Sequence, residues 1–411
     1  MAEVWRVRVD SGDAATGTLT PVAANALALS PTRVRGVSPP SSGVLLAAAC
    51  DDGWLRVFSM TDDFGAPPVL VTSIDVAALV VNEAGNGGKE GENGAGANGA
   101  GENGEGEEGE EGDDDDMECT AVAFDPVDGA RLFVGCGSSV VGFNAADSEG
   151  VSSSIETFRV NSEEVSGVAV DARGQYLAIG DDGGEVQVVD LGTGEVRHTL
   201  RAGKKGHTSL CSCVSFYPRQ KSTTRRVDLV SGGLDSCAIL WDPLKGKALH
   251  KWNMVTTHVT GESRTQMCNP PFVHAVALLE VAHNKKQVDL HAAVGCGDGT
   301  ARVLDVRSRS LLACVSAHAS AVSAVAMRKG VLVTGGNDGK VRVWDLERLL
   351  QALPGATQEP LATADLGDDK VQDLVLLPAD DAGSDSDALF VCVAGVSGSI
   401  RCVAFRGAIR L

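Results

Sequence analysis

The chain has 411 residues and a formal charge of −20, with 43% hydrophobic and 4% aromatic residues, 49 Gly and 11 Cys. It lacks an apolar run of the ~18 residues a membrane span needs, and its opening MAEVWRVRVD has no charged-then-apolar leader, so secretion is not expected. The odd number of cysteines, with Cys50, Cys136, Cys237, Cys296, Cys314 and Cys392 inside apolar runs, predicts reduced, buried thiols in cytosol or nucleus rather than a disulfide framework.

In chain order, EVWRVRVD (3–10) reads as a strand that belongs to no hairpin. AAACDDGWLRVFS (47–59) is the first hairpin, two β-rich runs around a turn that holds Asp52. Between 83 and 118 this pattern stops. That stretch carries Glu83, Glu90, Glu92, Glu102, Glu105, Glu107, Glu108, Glu110, Glu111, Asp113, Asp114, Asp115, Asp116 and Glu118 against Lys89, a net of −13 that leaves −7 for the rest. Mostly Gly, Asn and Ala otherwise, it cannot bury a core, and it is predicted to be a disordered acidic loop; contact with a basic partner is its other reading. No basic stripe offsets it, which argues against direct binding of nucleic acid.

Six further hairpins follow. LFVGCGSSVVGFN (132–144) has Ser138 where an Asp would fall, and LAIGDDGGEVQVVD (177–190) restores it as Asp182. LVSGGLDSCAILWD (229–242) carries Asp235 and Trp241, and AAVGCGDGTARVLD (292–305) carries Asp298 with Leu304 in place of Trp. VLVTGGNDGKVRVWDL (331–346) has Asp338 and Trp344, its Asn337-Asp338-Gly339 allowing the positive φ angles of a tight turn. VCVAGVSGSIRCVAF (391–405) is a degenerate last copy. Most hairpins are preceded by another apolar strand, such as CTAVAFDP (119–126), VSGVAVDA (165–172) or VQDLVLLP (371–378), and followed by one such as EVRHTLRA (195–202), KALHKWNM (247–254) or SLLACVSA (310–317). Four strands per unit at a period of about 40–45 residues is the signature of a β-propeller blade.

Seven copies predict an all-β fold, a single seven-bladed propeller over 1–411 with the insert 83–118 between its first and second blades. The last copy offers only three strands, 371–378, 390–395 and 399–405, so 3–10 is expected to supply its outer strand and close the ring. Segment 254–272, MVTTHVTGESRTQMCNPPF, is longer than a strand connection needs, and NPPFVH (269–274) is a candidate contact loop, although its apolar Met254, Met267 and Phe272 favour packing onto the disc.

Chemistry is thinly represented. His207 with Asp235 is one conceivable catalytic pair, and Cys211 with Cys213, two apart on a strand, one conceivable half of a metal site. Neither has the accompanying ligands or base, and no phosphate-binding G-x-x-x-x-G-K-[ST] loop or G-x-S-x-G elbow occurs. His198, His250, His258, His283 and His291 have no partner in view. No catalytic residue, metal or cofactor is expected.

The repeats resemble those of the WD-repeat family, over nearly the whole chain outside the insert. Two blades carry the family's fullest pattern: Gly206-His207, Ser231, Asp235 and Trp241-Asp242 in one, His318, Thr334, Asp338 and Trp344-Asp345 in the other. The resemblance implies two hydrogen-bonded structural tetrads, His207–Ser231–Asp235–Trp241 and His318–Thr334–Asp338–Trp344. It also implies a non-enzymatic scaffold for other proteins, a monomeric propeller within a complex, cytoplasmic or nuclear, with neither membrane nor nucleic acid as a direct partner.

AAVGCGDGTARVLDVR (292–307) further resembles the box by which WD-repeat proteins dock onto the damage-specific DNA-binding protein adaptor of cullin-4 ubiquitin ligases. Asp305 and Arg307 fall at its contact positions, with Leu304 where the box has an aromatic. In the other candidate, VWDLER, Glu347 takes the place of the Arg and Arg348 comes one position late. A substrate receptor of such a ligase is one implied function, and a generic scaffold in a chromatin or signalling complex is the other. A narrower likeness to one member of the family rests on VNSEEVSGVAV (160–170), CSCVSFYPR (211–219), GLDSCAILW (233–241), NPPFVHAV (269–276) and TGGNDGKVRVW (334–344).

Overall fold

Seven four-stranded antiparallel sheets follow one another around a closed ring. The computed structural model describes residues 2–8, 10–12, 19–21, 24–29, 44–60, 68–86, 117–127, 129–145, 154–201, 205–218, 228–257, 269–282, 288–352, 357–377 and 388–406. The first strands of the blades are Ala24–Leu29, Cys119–Phe124, Val165–Val170, Cys213–Phe216, Val273–Ala282, Val322–Arg328 and Val371–Leu376. Each touches the next, and the seventh returns to the first. Within each blade the chain then runs outward. In blade 4, for example, the second, third and outer strands are Leu229–Gly233, Cys237–Asp242 and Lys247–Asn253.

Val, Ile and Leu dominate the second and third strands because both of their faces are buried. Val44–Cys50, the second strand of blade 1, is buried at every position. The core is correspondingly divided into seven clusters, one between each pair of neighbouring blades. Turn chemistry sets the hairpins. Gly339 has φ +70, and a Cβ there would lie 2.0 Å from the Gly367 carbonyl, so only glycine fits. Blade 4 reaches the same conformation with Ser236, φ 58.

Ala2–Arg8 pairs antiparallel with Ser399–Arg406, from Ala2 opposite Phe405 to Arg8 opposite Ser399, as the outer strand of blade 7. The three-strand shortfall of the last repeat is thereby filled, and blade 7 reaches the four strands of the other blades by joining the two ends of the chain. The inner strands are also stitched between blades. Thr120 and Ser166 occupy bulges, and their hydroxyls donate to the carbonyls of Val165 and Cys211 in the next blade. Ser212 and Ser323 do the same toward Val273 and Val371, each at 2.5 Å. At the junction of blade 7 with blade 1 a carboxylate takes this role: Asp373 Oδ2 accepts from Leu27 N at 2.9 Å.

Several features depart from the sequence reading. Val76–Asn86 is a helix, capped by Asp75, whose Oδ1 accepts from Ala78 N at 2.9 Å, and anchored by buried Val76 and Val80. The acidic stretch expected as a loop from residue 83 is therefore helical up to Asn86; residues 87–116 lie outside the described residues. A second helix, Leu346–Gln351, lies in the connection between the third and outer strands of blade 6. Cys211 precedes its strand rather than alternating with Cys213 on it, and Cys314 is exposed on an outer strand rather than buried. Residues 258–268 of the long blade 4–5 connection are also outside the described set; Met254 at its start is fully buried, Phe272 at its end half-buried.

Candidate functional site

The two faces of the disc are distinguished by their turns. The upper face carries the turns between second and third strands, and the lower face those between third and outer strands. In blade 4 the upper turn holds Asp235, whose Oδ1 lies 2.9 Å from His207 Nδ1. His207 Nε2 lies 2.7 Å from Ser231 Oγ, which also accepts from Trp241 Nε1 at 2.8 Å. An indole N–H can only donate, so the Ser231 hydroxyl accepts it and donates its own proton to His207 Nε2. His207 then donates from Nδ1 to Asp235. His207 and Ser231 are fully buried, where an unbonded polar atom would be costly. Burial alone would raise the Asp235 carboxyl, but His207 and Lys251 Nζ, 3.0 Å away, outweigh it and hold it at about 2.

Blade 6 repeats the chain of bonds. His318 Nδ1 is 2.7 Å from Asp338 Oδ1 and Nε2 is 2.9 Å from Thr334 Oγ1, which accepts from Trp344 Nε1 at 3.0 Å. Asp338 stands at the end of this chain rather than bridging to the Thr or Trp, and its second oxygen meets Arg342 at 3.1 Å.

The remaining turns show a group that the sequence reading missed. Asp52 is clamped by Arg56 at 2.8 and 2.5 Å, and Asp298 by Arg302 at 3.0 Å. Both arginines are buried, Arg302 to 3% exposure, and Arg302 also donates to the carbonyls of Met254 and Thr257. In blade 7 Asp369 binds Arg401, Ser397 and Ser399. The signal is present in the sequence as an Arg four residues after the turn Asp: DDGWLR, DGTAR and DGKVR. In blade 3 the bonded residue is Asp181, which accepts from Glu185 N and Asn161 Nδ2; the predicted Asp182 is exposed.

On the lower face of blade 5, Asp305 Oδ1 accepts from Arg307 N at 2.7 Å and Ser308 N at 3.2 Å. Partial burial pushes the Asp305 carboxyl up, but these bonds, with the Ser308 hydroxyl, hold it below the usual carboxylate range. Asp305 thus closes the turn, while Arg307 is exposed on it. Leu304 is fully buried, clustered with Tyr217, Trp252 and Leu290, and contributes packing rather than surface. In the other candidate box Asp345 caps the second helix by accepting from Arg348 N at 2.9 Å, and Glu347 and Arg348 are exposed.

Among the described residues, no group of three or more His, Cys, Asp or Glu side chains could hold a metal ion, and no helix is long and apolar enough to cross a membrane. Seven closed four-stranded blades with this turn chemistry define a WD-repeat β-propeller. The sequence model of the family described as "WD domain, G-beta repeat" matches residues 194–242 and 309–345. Each match begins in the outer strand of one blade and ends with the third strand of the next, and the two span both His–Asp–Trp blades.

The chain is similar to WD repeat-containing protein 53, the family member behind the narrower likeness. A homologue of that name from Dictyostelium discoideum is 29% identical over 209 residues, covering 46% of this chain and 53% of the relative. The chain thus matches about half the length of that relative.

Proposed function

We propose that the protein is a non-enzymatic interaction scaffold, one propeller over 1–411 interrupted by the acidic insertion, and a substrate receptor of a cullin-4 ubiquitin ligase in cytosol or nucleus. WD-repeat propellers are protein-interaction platforms, rigid discs that present turns and rims to partners. The two tetrads are structural in this reading, because His207 and Ser231 are fully buried and His318 nearly so, out of reach of a substrate. The observation that carries the ligase reading is the exposed Arg307, on a turn whose other residues are held in place by Asp305. A guanidinium so presented suits a bidentate contact with a carboxylate of the damage-specific DNA-binding protein adaptor.

The test is capture of that adaptor from cells by the full-length protein. Arg307→Ala is expected to weaken capture without changing circular dichroism, and Arg307→Lys to restore it only in part. Capture unchanged by Arg307→Ala and Arg307→Glu would remove the ligase reading. A scaffold in a chromatin or signalling complex would then stand, favoured by exposed Glu163, Glu164 and Asp182 on the upper face near Glu118, where the acidic insertion rejoins the fold.

A further inference from the structure

We propose that the lower rim over blades 4 to 6 docks an acidic polypeptide segment of a partner protein, through Lys247, Arg309, Lys329 and Arg348. These residues span a hundred positions of sequence, and ring closure sets them in one band. Trp252 Nε1 donates to the Arg309 carbonyl at 3.1 Å, tying the Lys247–Asn253 strand of blade 4 to the lower turn of blade 5. The helix that carries Arg348 packs on the outer strand Ser310–Ser316, which begins next to Arg309. Leu346 N donates to Gly330 O at 3.0 Å, bringing that helix against the Lys329 turn.

All four cations are exposed. The carboxylates at the same strand ends are engaged internally: Asp242 on Lys245, Asp305 on two backbone N–H groups and Asp345 on the N–H of Arg348. Among the described residues, Glu347 is the exposed acid beside them. At the inner end of the Lys329 turn, Arg328 is half-buried, and its Nε and Nη2 have no hydrogen-bond partner among the described residues.

A short acidic peptide fits this band better than a nucleic acid. A duplex would extend well past the band into the field of a chain of net charge −20, whereas a peptide stays within a screening length, about 8 Å in physiological salt, of the cations. No aromatic ring is found among the exposed large hydrophobic side chains of the described residues to stack on bases. The inference rests on the scaffold reading and names the chemistry of its partner. Adaptor capture and peptide binding are separate measurements, so that failure of one is distinguishable from failure of the other.

The test is fluorescence anisotropy of a labelled peptide of alternating Glu and Gly with the full chain. Binding should fall as salt rises. The variant Lys247→Glu/Arg309→Glu/Lys329→Glu/Arg348→Glu should bind about tenfold more weakly or worse, and Lys247→Glu/Lys329→Glu, which disturbs no turn, should lose part of the affinity. Lys340→Glu on the upper face should change nothing. Binding insensitive to both lower-face variants, tighter binding to a DNA duplex, or peptide binding seen only after deletion of 87–116, would overturn the assignment.

Discussion

On the upper face of the propeller the turn aspartates are bound within the fold: Asp52 by Arg56, Asp235 by His207 and Lys251, Asp298 by Arg302, Asp338 by His318 and Arg342, and Asp369 by Arg401. On the lower face Lys247, Arg309, Lys329 and Arg348 stand exposed at strand ends, turns and the first turn of a helix, and the carboxylates near them close a turn or cap that helix. The difference teaches which charges hold the molecule and which address a partner. A buried charge must be paired, and removing one member strands the other; an exposed one is solvated and contributes little to stability.

The largest effect is expected where the stranded group is a full charge. Asp298→Ala leaves the guanidinium of Arg302, 3% exposed, without its counter-ion, and should cost about 3 kcal/mol or more in urea denaturation. Asp338→Ala should cost less, about 2 kcal/mol, since Arg342, which also loses its counter-ion, is 19% exposed and can be solvated, and His318, whose pKa burial lowers, keeps its bond to Thr334. From sequence the opposite order is expected, because blade 5 has no His in the opening position and Leu304 in place of Trp. An equal or reversed cost would break the distinction between arginine-clamped and histidine-bridged blades.

Next come two pH dependences of opposite sign. Asp235, held at about 2 against an ordinary 3.8, stabilises the fold above pH 4 and loses that contribution as pH falls toward 2. Asp373, at the ring closure, is pushed up by burial to about 6, so the folded state retains its proton and stability declines as pH rises from about 4 to 6. Melting temperatures of Asp373→Asn across this range should lack that decline. A slope identical to the wild type would show that Asp373 does not titrate there. Smaller again, Ser323→Ala should cost about 1 kcal/mol in urea denaturation by removing the bond to Val371 O that joins blades 6 and 7.

Much of this was legible in the sequence. The seven hairpins, the turn aspartates Asp52, Asp235, Asp298 and Asp338, and the outer position of the N-terminal strand follow from turn chemistry and from counting strands. The arginines were not, because an Arg on an alternating strand reads as solvent-facing; only the side-by-side packing of blades, which buries both faces, encloses Arg56 and Arg302. The helix Val76–Asn86 was hidden in a Val-rich run that β-propensity favours as strand. The basic lower rim escaped notice for a different reason. Its residues are single cations tens of positions apart, and closure of the ring is what gathers them.

The contrast between the faces is tested most directly by comparing two urea denaturation midpoints, that of Asp298→Ala and that of the lower-face variant Lys247→Ala/Arg309→Ala/Lys329→Ala/Arg348→Ala. The account predicts that the single upper-face change lowers stability by about 3 kcal/mol while the fourfold lower-face change stays within ~1 kcal/mol of the wild type. A fourfold variant as unstable as Asp298→Ala would contradict it.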